Sequence, residues 1–327
     1  RSIFLVNLPI GILVLAGLVW LLPYRKPHRR PKIDYAGALL LAGAVASVVL
    51  WADSGQIFGS LIAWESLGVV AFGVLCLIGW VFVERRVPEP VVFSSRTVNL
   101  LLCISLVSGA IGIGSVNYIA LFLQTTTGLS PSMAGLLFIA TTGGIALGSL
   151  SAGRIISKTG RYKPFAIAST ATGIVSLAIF SQMHAGTPII LLGLVMLLQG
   201  IGVGIGQQVP VIGVQNAAAG ADVGAATGTV TLTRMGGAAI AISIYGAIIS
   251  AGLAHVQIAL PDGGDFRNLT PQMLSTLPHT VQTTVANAYS DAFLPLFLTA
   301  SGMMALGLIA ALMLPNVRLP VARGRDA

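Results

Sequence analysis

Residues 133–163 have the sequence MAGLLFIATTGGIALGSLSAGRIISKTGRYK. The first 20 of these residues are uncharged and mostly apolar or small, and that length allows an α-helix to cross a hydrocarbon core of about 30 Å. The rest of the stretch contains four Lys or Arg and no Asp or Glu. An apolar run followed by a short basic segment is typical of a transmembrane helix that ends at the cytoplasmic surface.

The same pattern recurs along the whole chain, in about nine apolar runs. Five Lys or Arg lie between the first and second runs, three between the third and fourth, four between the fifth and sixth, and three after the ninth. Because basic residues mark cytoplasmic loops, this alternation predicts an all-α polytopic membrane protein with about nine transmembrane helices and a cytoplasmic C-terminus. The predicted spans are approximately residues 3–22, 35–52, 67–83, 100–123, 133–152, 165–183, 189–211, 228–253 and 292–314.

The composition argues against a water-soluble protein. Only 9% of the 327 residues are charged and 55% are hydrophobic, whereas soluble domains have about 25% charged residues. A net charge of +8 would favour nucleic acid as the partner of a soluble protein. Here the basic residues flank apolar runs, so we expect membrane lipids as their partners and no binding of nucleic acid.

No residue cluster indicates an enzyme, a metal site or a cofactor. Cys76 and Cys103 lie inside apolar runs, where they are typical small apolar residues. The four His are far apart and lack the spacing of metal ligands. The spans contain no paired acids and no nucleophile-base arrangement. We therefore expect a protein without enzymatic activity, metal or cofactor.

The start of the chain is unusual for a membrane protein of this topology. Nine crossings and a cytoplasmic C-terminus place Arg1 outside the cell, yet the first apolar run begins almost at once and residue 1 is not Met. We therefore expect this sequence to be the C-terminal portion of a longer protein, and its missing N-terminal helices to be a partner of the chain.

Arg234 is the charged residue that lies well inside a predicted span. A guanidinium group in the hydrocarbon region is costly unless it meets water, a partner or lipid headgroups. One alternative is that the side chain extends to the nearby cytoplasmic interface. The interpretation that we favour is that Arg234 faces a water-filled central cavity.

Four uncharged polar residues complete the predicted substrate cavity: Asn117 and Gln124 in the fourth span, and Gln207 and Gln208 in the seventh. Taken singly, each could make an interhelical hydrogen bond worth about 1 kcal/mol. Taken together with Arg234, they could supply the few polar contacts of an otherwise apolar pocket. No predicted span has a carboxylate at mid-depth.

The basic segment after the fifth span contains Gly153, Arg154, Gly160 and Arg161. Its glycines allow a tight turn, and its cations can contact headgroups or helix C-termini. This segment is either an ordinary cytoplasmic loop or a conformational loop that ties two helices together in one state and releases them in another.

The seventh span contains Gly200, Gly202, Gly204 and Gly206, which form two overlapping G-x-x-x-G pairs. This spacing predicts close packing against neighbouring helices. It is also compatible with a flexible helix that lines a moving pathway.

Several motifs resemble the fourteen-helix drug:proton antiporter family of the major facilitator superfamily. Residues 1–11, with the N-x-P-x-G pattern, resemble the start of its sixth helix. Residues 34–37 (DYAG) and 64–90 resemble its two extra central helices. Residues 118–135 resemble the start of its C-terminal half, and residues 234–237 (RMGG) resemble the fifth helix of that half.

The resemblance implies a proton-coupled exporter of lipophilic drugs that works by alternating access in the inner (plasma) membrane. Its expected partners are a small-molecule substrate and protons. It implies a C-terminal six-helix bundle at residues 100–314, preceded by two linker helices within residues 23–99 and one remaining N-half helix at residues 1–22. Residues 315–327 are then a basic cytoplasmic tail, and five N-terminal helices are missing.

Two alternatives to drug efflux stay open. The chain could be a fragment that is unable to transport, because alternating access requires both halves of a transporter. It could also export a lipid or an endogenous metabolite. The family's loop motif has an acidic residue where this chain has Ser157, so this chain lacks the acidic partner of that loop's salt bridge.

Overall fold

A computed structural model describes residues 7–21, 35–52, 54–60, 62–85, 95–184, 186–217, 223–254, 256, 273 and 278–316. All the secondary-structure elements in these described ranges are helices. A π-helical segment, Ala110–Gly114, joins two of the α-helices. The helices are α1 (Asn7–Leu21), α2 (Tyr35–Ala52), α3 (Ser54–Ile57), α4 (Trp64–Glu84), α5 (Arg96–Gly109), α6 (Ser115–Thr125), α7 (Pro131–Thr159), α8 (Lys163–Phe180), α9 (Ile189–Ala217), α10 (Val223–Ala254) and α11 (His279–Met313).

Seven of the described helical stretches are long and apolar enough to cross a membrane. They include the continuous stretch Arg96–Thr125, which combines α5, the π segment and α6. The segments Gly11–Leu21 and Tyr35–Trp51 are apolar but shorter. The prediction of an all-helical, multi-pass membrane protein is confirmed, whereas the number of nine crossings stays a prediction.

The chain divides into two structural units, residues 1–34 and residues 35–327. The described part of the first unit is α1, an uninterrupted apolar helix. Pro9 lies in its first turn, where the missing backbone N–H has no partner inside the helix and therefore costs little.

Local sequence signals explain both ends of α7. Ser130 is the N-cap, and its side chain accepts a hydrogen bond from the Met133 N–H at 3.3 Å. Pro131 occupies the first helical position, where its fixed φ favours the helix. The helix ends at Gly160, which adopts a left-handed conformation with φ of 67°.

The predicted conformational loop is therefore shorter than expected, and this part of the prediction is wrong. Gly153 and Arg154 lie within α7, which continues to Thr159. Residues 154–159 contain neither Gly nor Pro, so nothing in the sequence ends the helix before Gly160. The connection to α8 consists of residues 160–162.

Two further helices are longer than predicted. Helix α9 continues through Pro210 to Ala217 rather than ending at residue 211. Helix α11 begins at His279, so residues 279–291, predicted as part of a polar loop, are helical. Apolar composition marks only the part of a helix inside hydrocarbon, and a helix can continue beyond it with polar side chains.

The stretch formed by α5, the π segment and α6 is the central element of the second unit. In its apolar window 67% of the residues are buried, compared with 17% for α4 and 22% for α7. Four aromatic side chains pack α6 against α8 and α11, with ring centroids 5.3–6.4 Å apart. They are Phe122, Phe180, Phe293 and Phe297. Several polar residues of this central stretch, among them Ser105, Ser108 and Ser115, are therefore buried among the other helices.

Helices α2 and α4 pack against each other through small residues. A Cβ added at Gly73 would lie 2.7 Å from Ser47 Cβ, and one added at Gly43 would lie 3.0 Å from Cys76 Sγ. Helix α2 also contacts α10, where Gly236 lies beside Val45. This pair of helices is thus attached to the bundle through α2.

Candidate functional site

Helices α5 and α10 meet with their backbones in direct contact. A Cβ added at Gly109 would overlap the carbonyl oxygen of Arg234, and one added at Gly237 would overlap that of Leu106. Only glycine allows this approach without displacing a backbone. Arg234 Cγ would lie 2.9 Å from the added Cβ at Gly109, so the half-buried Arg234 side chain begins beside Gly109.

Two hydroxyl groups, one from α5 and one from α6, hold α10 against the central stretch on either side of Arg234. Ser105 Oγ donates a hydrogen bond to the Val230 carbonyl at 2.9 Å, and Tyr118 Oη donates one to the Ile242 carbonyl at 2.9 Å. Ser105 was not among the predicted site residues. Its only sequence signal is a hydroxyl group within an apolar span.

The π segment lies beside a buried polar pair. Ser115, the residue after it, donates a hydrogen bond through Oγ to the Ile111 carbonyl. Gln199 of α9 is only 2% exposed, and its Nε2 donates to Ser115 Oγ at 3.0 Å. π segments within α-helices are frequent at functional sites. Sequence reasoning missed Gln199, because a single amide among apolar residues gives no periodic signal.

Gln207 and Arg234 approach the same part of the central stretch. Gln207 Nε2 would lie 3.7 Å from a Cβ added at Gly112, while Arg234 contacts Gly109. These two glycines are three residues apart and so lie within about one helical turn. The structure therefore places two of the five predicted cavity residues, Gln207 and Arg234, beside the same turn of the central stretch.

The other three predicted cavity residues lie apart from this pair. Asn117 is exposed and Gln124 is partly exposed, and their spacing of seven residues places them on one face of α6. Gln124 Nε2 donates to the Ala120 carbonyl of its own helix at 3.1 Å. Gln208 instead points to α7, where its Nε2 donates to Ser149 Oγ at 2.7 Å.

The four glycines of α9 lie on two of its interfaces. Gly200 and Gly204 lie against α7, because a Cβ added at either one would overlap a backbone carbonyl of that helix. Gly202 lies against α8, where an added Cβ would be 3.2 Å from Thr172 Cβ. An added Cβ at Gly206 would lie 2.5 Å from Ser169 Oγ, also on α8.

The start of α8, directly after the basic end of α7, lies next to the C-terminal end of α11. Arg154 and Arg161 are exposed, whereas Lys163 Nζ donates a hydrogen bond to the Leu312 carbonyl at 2.8 Å. Tyr162, between α7 and α8, is only 2% exposed. Burial raises the pKa of the Tyr162 phenol above its ordinary value. Tyr162 thus anchors the short connection, a role that its position in a basic segment did not indicate.

These features define a helical, multi-pass membrane protein with polar side chains gathered around one central, π-interrupted helix. The chain is similar to an uncharacterised MFS-type transporter of Mycobacterium tuberculosis, with 29% identity over 334 residues that cover 98% of this chain and 48% of the relative. A multidrug resistance protein of Schizosaccharomyces pombe is 27% identical over 317 residues, covering 90% of this chain and 59% of the relative.

An efflux pump of Gibberella fujikuroi is 25% identical over 348 residues, which cover 98% of this chain and 62% of the relative. No family model matches the chain. The chain spans about half to three fifths of the length of these relatives. They are named as transporters or as a resistance or efflux protein rather than as enzymes.

Proposed function

We propose that the protein is a secondary transporter of the major facilitator superfamily that exports lipophilic small molecules in exchange for protons. The observation that supports this proposal most strongly is the similarity of 98% of the chain to MFS-type transporters and efflux pumps. Because the chain covers about half of the M. tuberculosis relative, the activity of the whole protein is part of the proposal.

The helices from Arg96 to Met313 then correspond to the C-terminal six-helix bundle, with α5, the π segment and α6 together forming its first helix. In an alternating-access cycle, two such bundles rock around a site near the middle of the membrane. Helices α2 and α4 correspond to the two extra central helices of the fourteen-helix branch. We assign the basic end of α7 and the C-terminus to the cytoplasm.

The proposed role of Arg234 follows from its position. The α5–α10 contact fixes the Arg234 backbone at Gly109, so the position from which the side chain extends is defined within the bundle. A guanidinium group at this depth requires water or a polar ligand. Together with Gln207, which approaches the nearby Gly112, it would supply polar contacts of a cavity that is otherwise apolar.

The experiment uses the longest open reading frame that contains this sequence, expressed in cells lacking their own efflux pumps. We expect outward transport of a lipophilic cationic dye that stops when a protonophore removes the proton gradient. Arg234→Ala should lower the transport rate about tenfold or more at equal membrane abundance, whereas Arg85→Ala, at the exposed end of α4, should leave it near the wild-type rate. Equal dye export by wild type and Arg234→Ala would contradict the proposed role.

A parallel sample of the 327-residue chain alone tests whether this part suffices. If the chain alone still exports dye in a proton-dependent way, the N-terminal half of a typical transporter is not required for export. Loss of export, with normal export by the longer protein, would mean that the chain is an incompetent fragment on its own.

Export of an anionic metabolite or lipid is a second candidate. Arg234 lies in α10 well before its last turn, whereas Asp291 of α11 lies beside Ala292, which faces Gly252 in that last turn. A cation without a carboxylate at its depth favours an anionic ligand. Competition between the dye and anionic amphiphiles in the same assay distinguishes the two substrates.

A further inference from the structure

A surface depression lies at the basic end of the bundle, between α8 and the end of α11. It has a volume of about 380 Å³ and is lined by Lys163, Pro164, Ile167 and Asn316. Its walls thus combine an ammonium group, a side-chain amide and two apolar groups. None of these residues is among those considered for the substrate cavity.

The ammonium group is fixed in place by the fold. Lys163 Nζ donates one hydrogen bond to the Leu312 carbonyl in the last turn of α11, which leaves two of its three N–H groups available. A lysine that is already oriented loses less conformational entropy when it binds a ligand than a freely rotating one does. Its charge also offsets the partial negative charge at the C-terminal end of α11.

The charged residues that the structure describes on the α7–α8 side of the depression are all basic. Residues 131–184 contain four basic residues and no Asp or Glu. Arg154, Lys158 and Arg161, all exposed, lie on the final turns of α7 or directly after it. Clusters of this kind attract anionic headgroups at a membrane surface.

The surface beyond the depression is apolar. Exposed residues of α8 include Ala168, Val175 and Ala178, and exposed residues of α11 include Leu306 and Ile309. An acyl chain running along either helix would contact apolar side chains, which have no hydrogen-bonding groups to satisfy. A ligand that fits both parts needs an anionic head and a hydrocarbon tail.

We propose that this depression binds the phosphate of an anionic phospholipid. Lys163 and Asn316 hydrogen-bond the phosphate, Pro164 and Ile167 contact the glycerol and the first carbons of an acyl chain, and the neighbouring cations strengthen attraction at longer range. The site lies between α8 and α11 and does not depend on the transport activity proposed above.

The test measures lipid retention by the full-length protein with native mass spectrometry, using phosphatidylglycerol, phosphatidylcholine and inorganic phosphate as probes. Lys163→Gln should weaken phosphatidylglycerol retention about fivefold, the effect expected for one basic residue near a membrane surface. Lys158→Gln is the matched control, since it removes the same charge from the same end without touching the depression. Its retention should stay within about twofold of wild type.

Two further variants keep the test decisive if Lys163→Gln does not fold. Lys163→Arg should retain phosphatidylglycerol, because it keeps the charge and the donors. Ile167→Trp should lower retention without changing the charge, because the larger side chain fills the depression. Phosphatidylcholine should be retained less than phosphatidylglycerol by wild type and equally by all variants.

Equal losses for Lys163→Gln and Lys158→Gln would overturn the proposal in favour of a diffuse surface attraction. Equal retention of the two lipids by wild type would also overturn it. Inorganic phosphate should fail to displace the lipid, because it lacks the acyl chains. Complete displacement at millimolar phosphate would mean an anion site and not a lipid site.

Discussion

Two helix interfaces in this bundle bring backbones into contact, and they do so differently. The α7–α9 interface uses two glycines from each helix, Gly144 and Gly148 facing Gly200 and Gly204. The α5–α10 interface uses one glycine from each helix, and Ser105 of α5 and Tyr118 of the adjoining α6 donate hydrogen bonds to α10 carbonyls. The first is a repeated small-residue contact, and the second is a local contact reinforced by hydrogen bonds.

This difference separates packing from function within one bundle. The repeated glycines bring α7 and α9 together over two turns, so many backbone atoms contribute dispersion and weak Cα–H···O interactions. At the α5–α10 interface, the close contact fixes the backbone of Arg234 next to the π segment. We therefore expect substitutions in the first interface to affect mainly stability, and substitutions in the second to affect both stability and transport.

The largest expected effect is that of Gly144→Ala. The added methyl group would overlap the Leu197 carbonyl and lie 3.0 Å from Gly200 Cα, so α7 and α9 must move apart. Such overpacking costs about 1–3 kcal/mol, at the upper end here because backbone atoms cannot rotate away. Thermal unfolding of the purified protein in detergent measures the loss.

Gly143→Ala is the matched control for that experiment. Nothing lies within 4 Å of a Cβ added at Gly143, and Ala is favoured over Gly in a helix by up to about 1 kcal/mol. This variant should be as stable as wild type or slightly more stable. Equal destabilisation by the two neighbours would mean that α7 does not contact α9 in the way described.

Gly237→Ala should destabilise the protein by about 1–2 kcal/mol, less than Gly144→Ala, because only one glycine per helix is involved. The added methyl group would overlap the Leu106 carbonyl and shift α10, including Arg234. Dye export at equal abundance should therefore fall together with stability. Gly236→Ala is its control, since the added Cβ makes an ordinary 3.8 Å contact with Val45. If the Gly237→Ala protein is less stable but exports dye normally, the position of Arg234 does not affect transport.

The α7–α9 interface could be anticipated in part from the sequence, whereas the α5–α10 interface could not. The pairs at residues 200/204 and 202/206 predict close packing, and both lie at close interfaces. The partner of each pair is set by the rotation of α9 within the bundle, which spacing along one helix cannot give. Gly109 and Gly237 are single glycines without a repeat, so no pattern marks them.

The same reasoning applies to the candidate site. Arg234 was identifiable because a charge within an apolar span is costly, and Gln207 because it is polar. That these two approach neighbouring turns of one helix depends on tertiary packing. Gln208 was grouped with Gln207 on sequence grounds, yet adjacent residues on a helix point about 100° apart. Its amide accordingly reaches Ser149 on α7 instead.

Tyr118→Phe tests the hydrogen bond from α6 to α10, next to the α5–α10 interface, and should cost about 0.5–1.5 kcal/mol. The ring remains, so its edge-to-face contact with Tyr245, at a centroid distance of 5.7 Å, is retained. The variant loses the bond to the Ile242 carbonyl. Tyr35→Phe, at a residue that is 70% exposed, is the control and should leave the unfolding midpoint unchanged. If both variants behave alike, the hydroxyl group of Tyr118 does not hold α6 to α10.

The smallest expected effect is the coupling between Gln208 and Ser149, the side-chain bond across the α7–α9 interface. A double-mutant cycle with Gln208→Leu and Ser149→Ala should give a coupling of about 0.6 kcal/mol, the average for hydrogen bonds between membrane helices. The same cycle with Gln207→Leu in place of Gln208→Leu should give none, because Gln207 approaches Gly112 and points about 100° away from the Gln208 direction on α9. A coupling well above 1 kcal/mol for Gln208 would mean that the α7–α9 interface also depends on polar contacts, and the contrast between the two interfaces would then be one of degree. A coupling to Gln207 would mean that α9 is rotated relative to the arrangement described, and the position of Gln207 beside the central stretch would have to be abandoned.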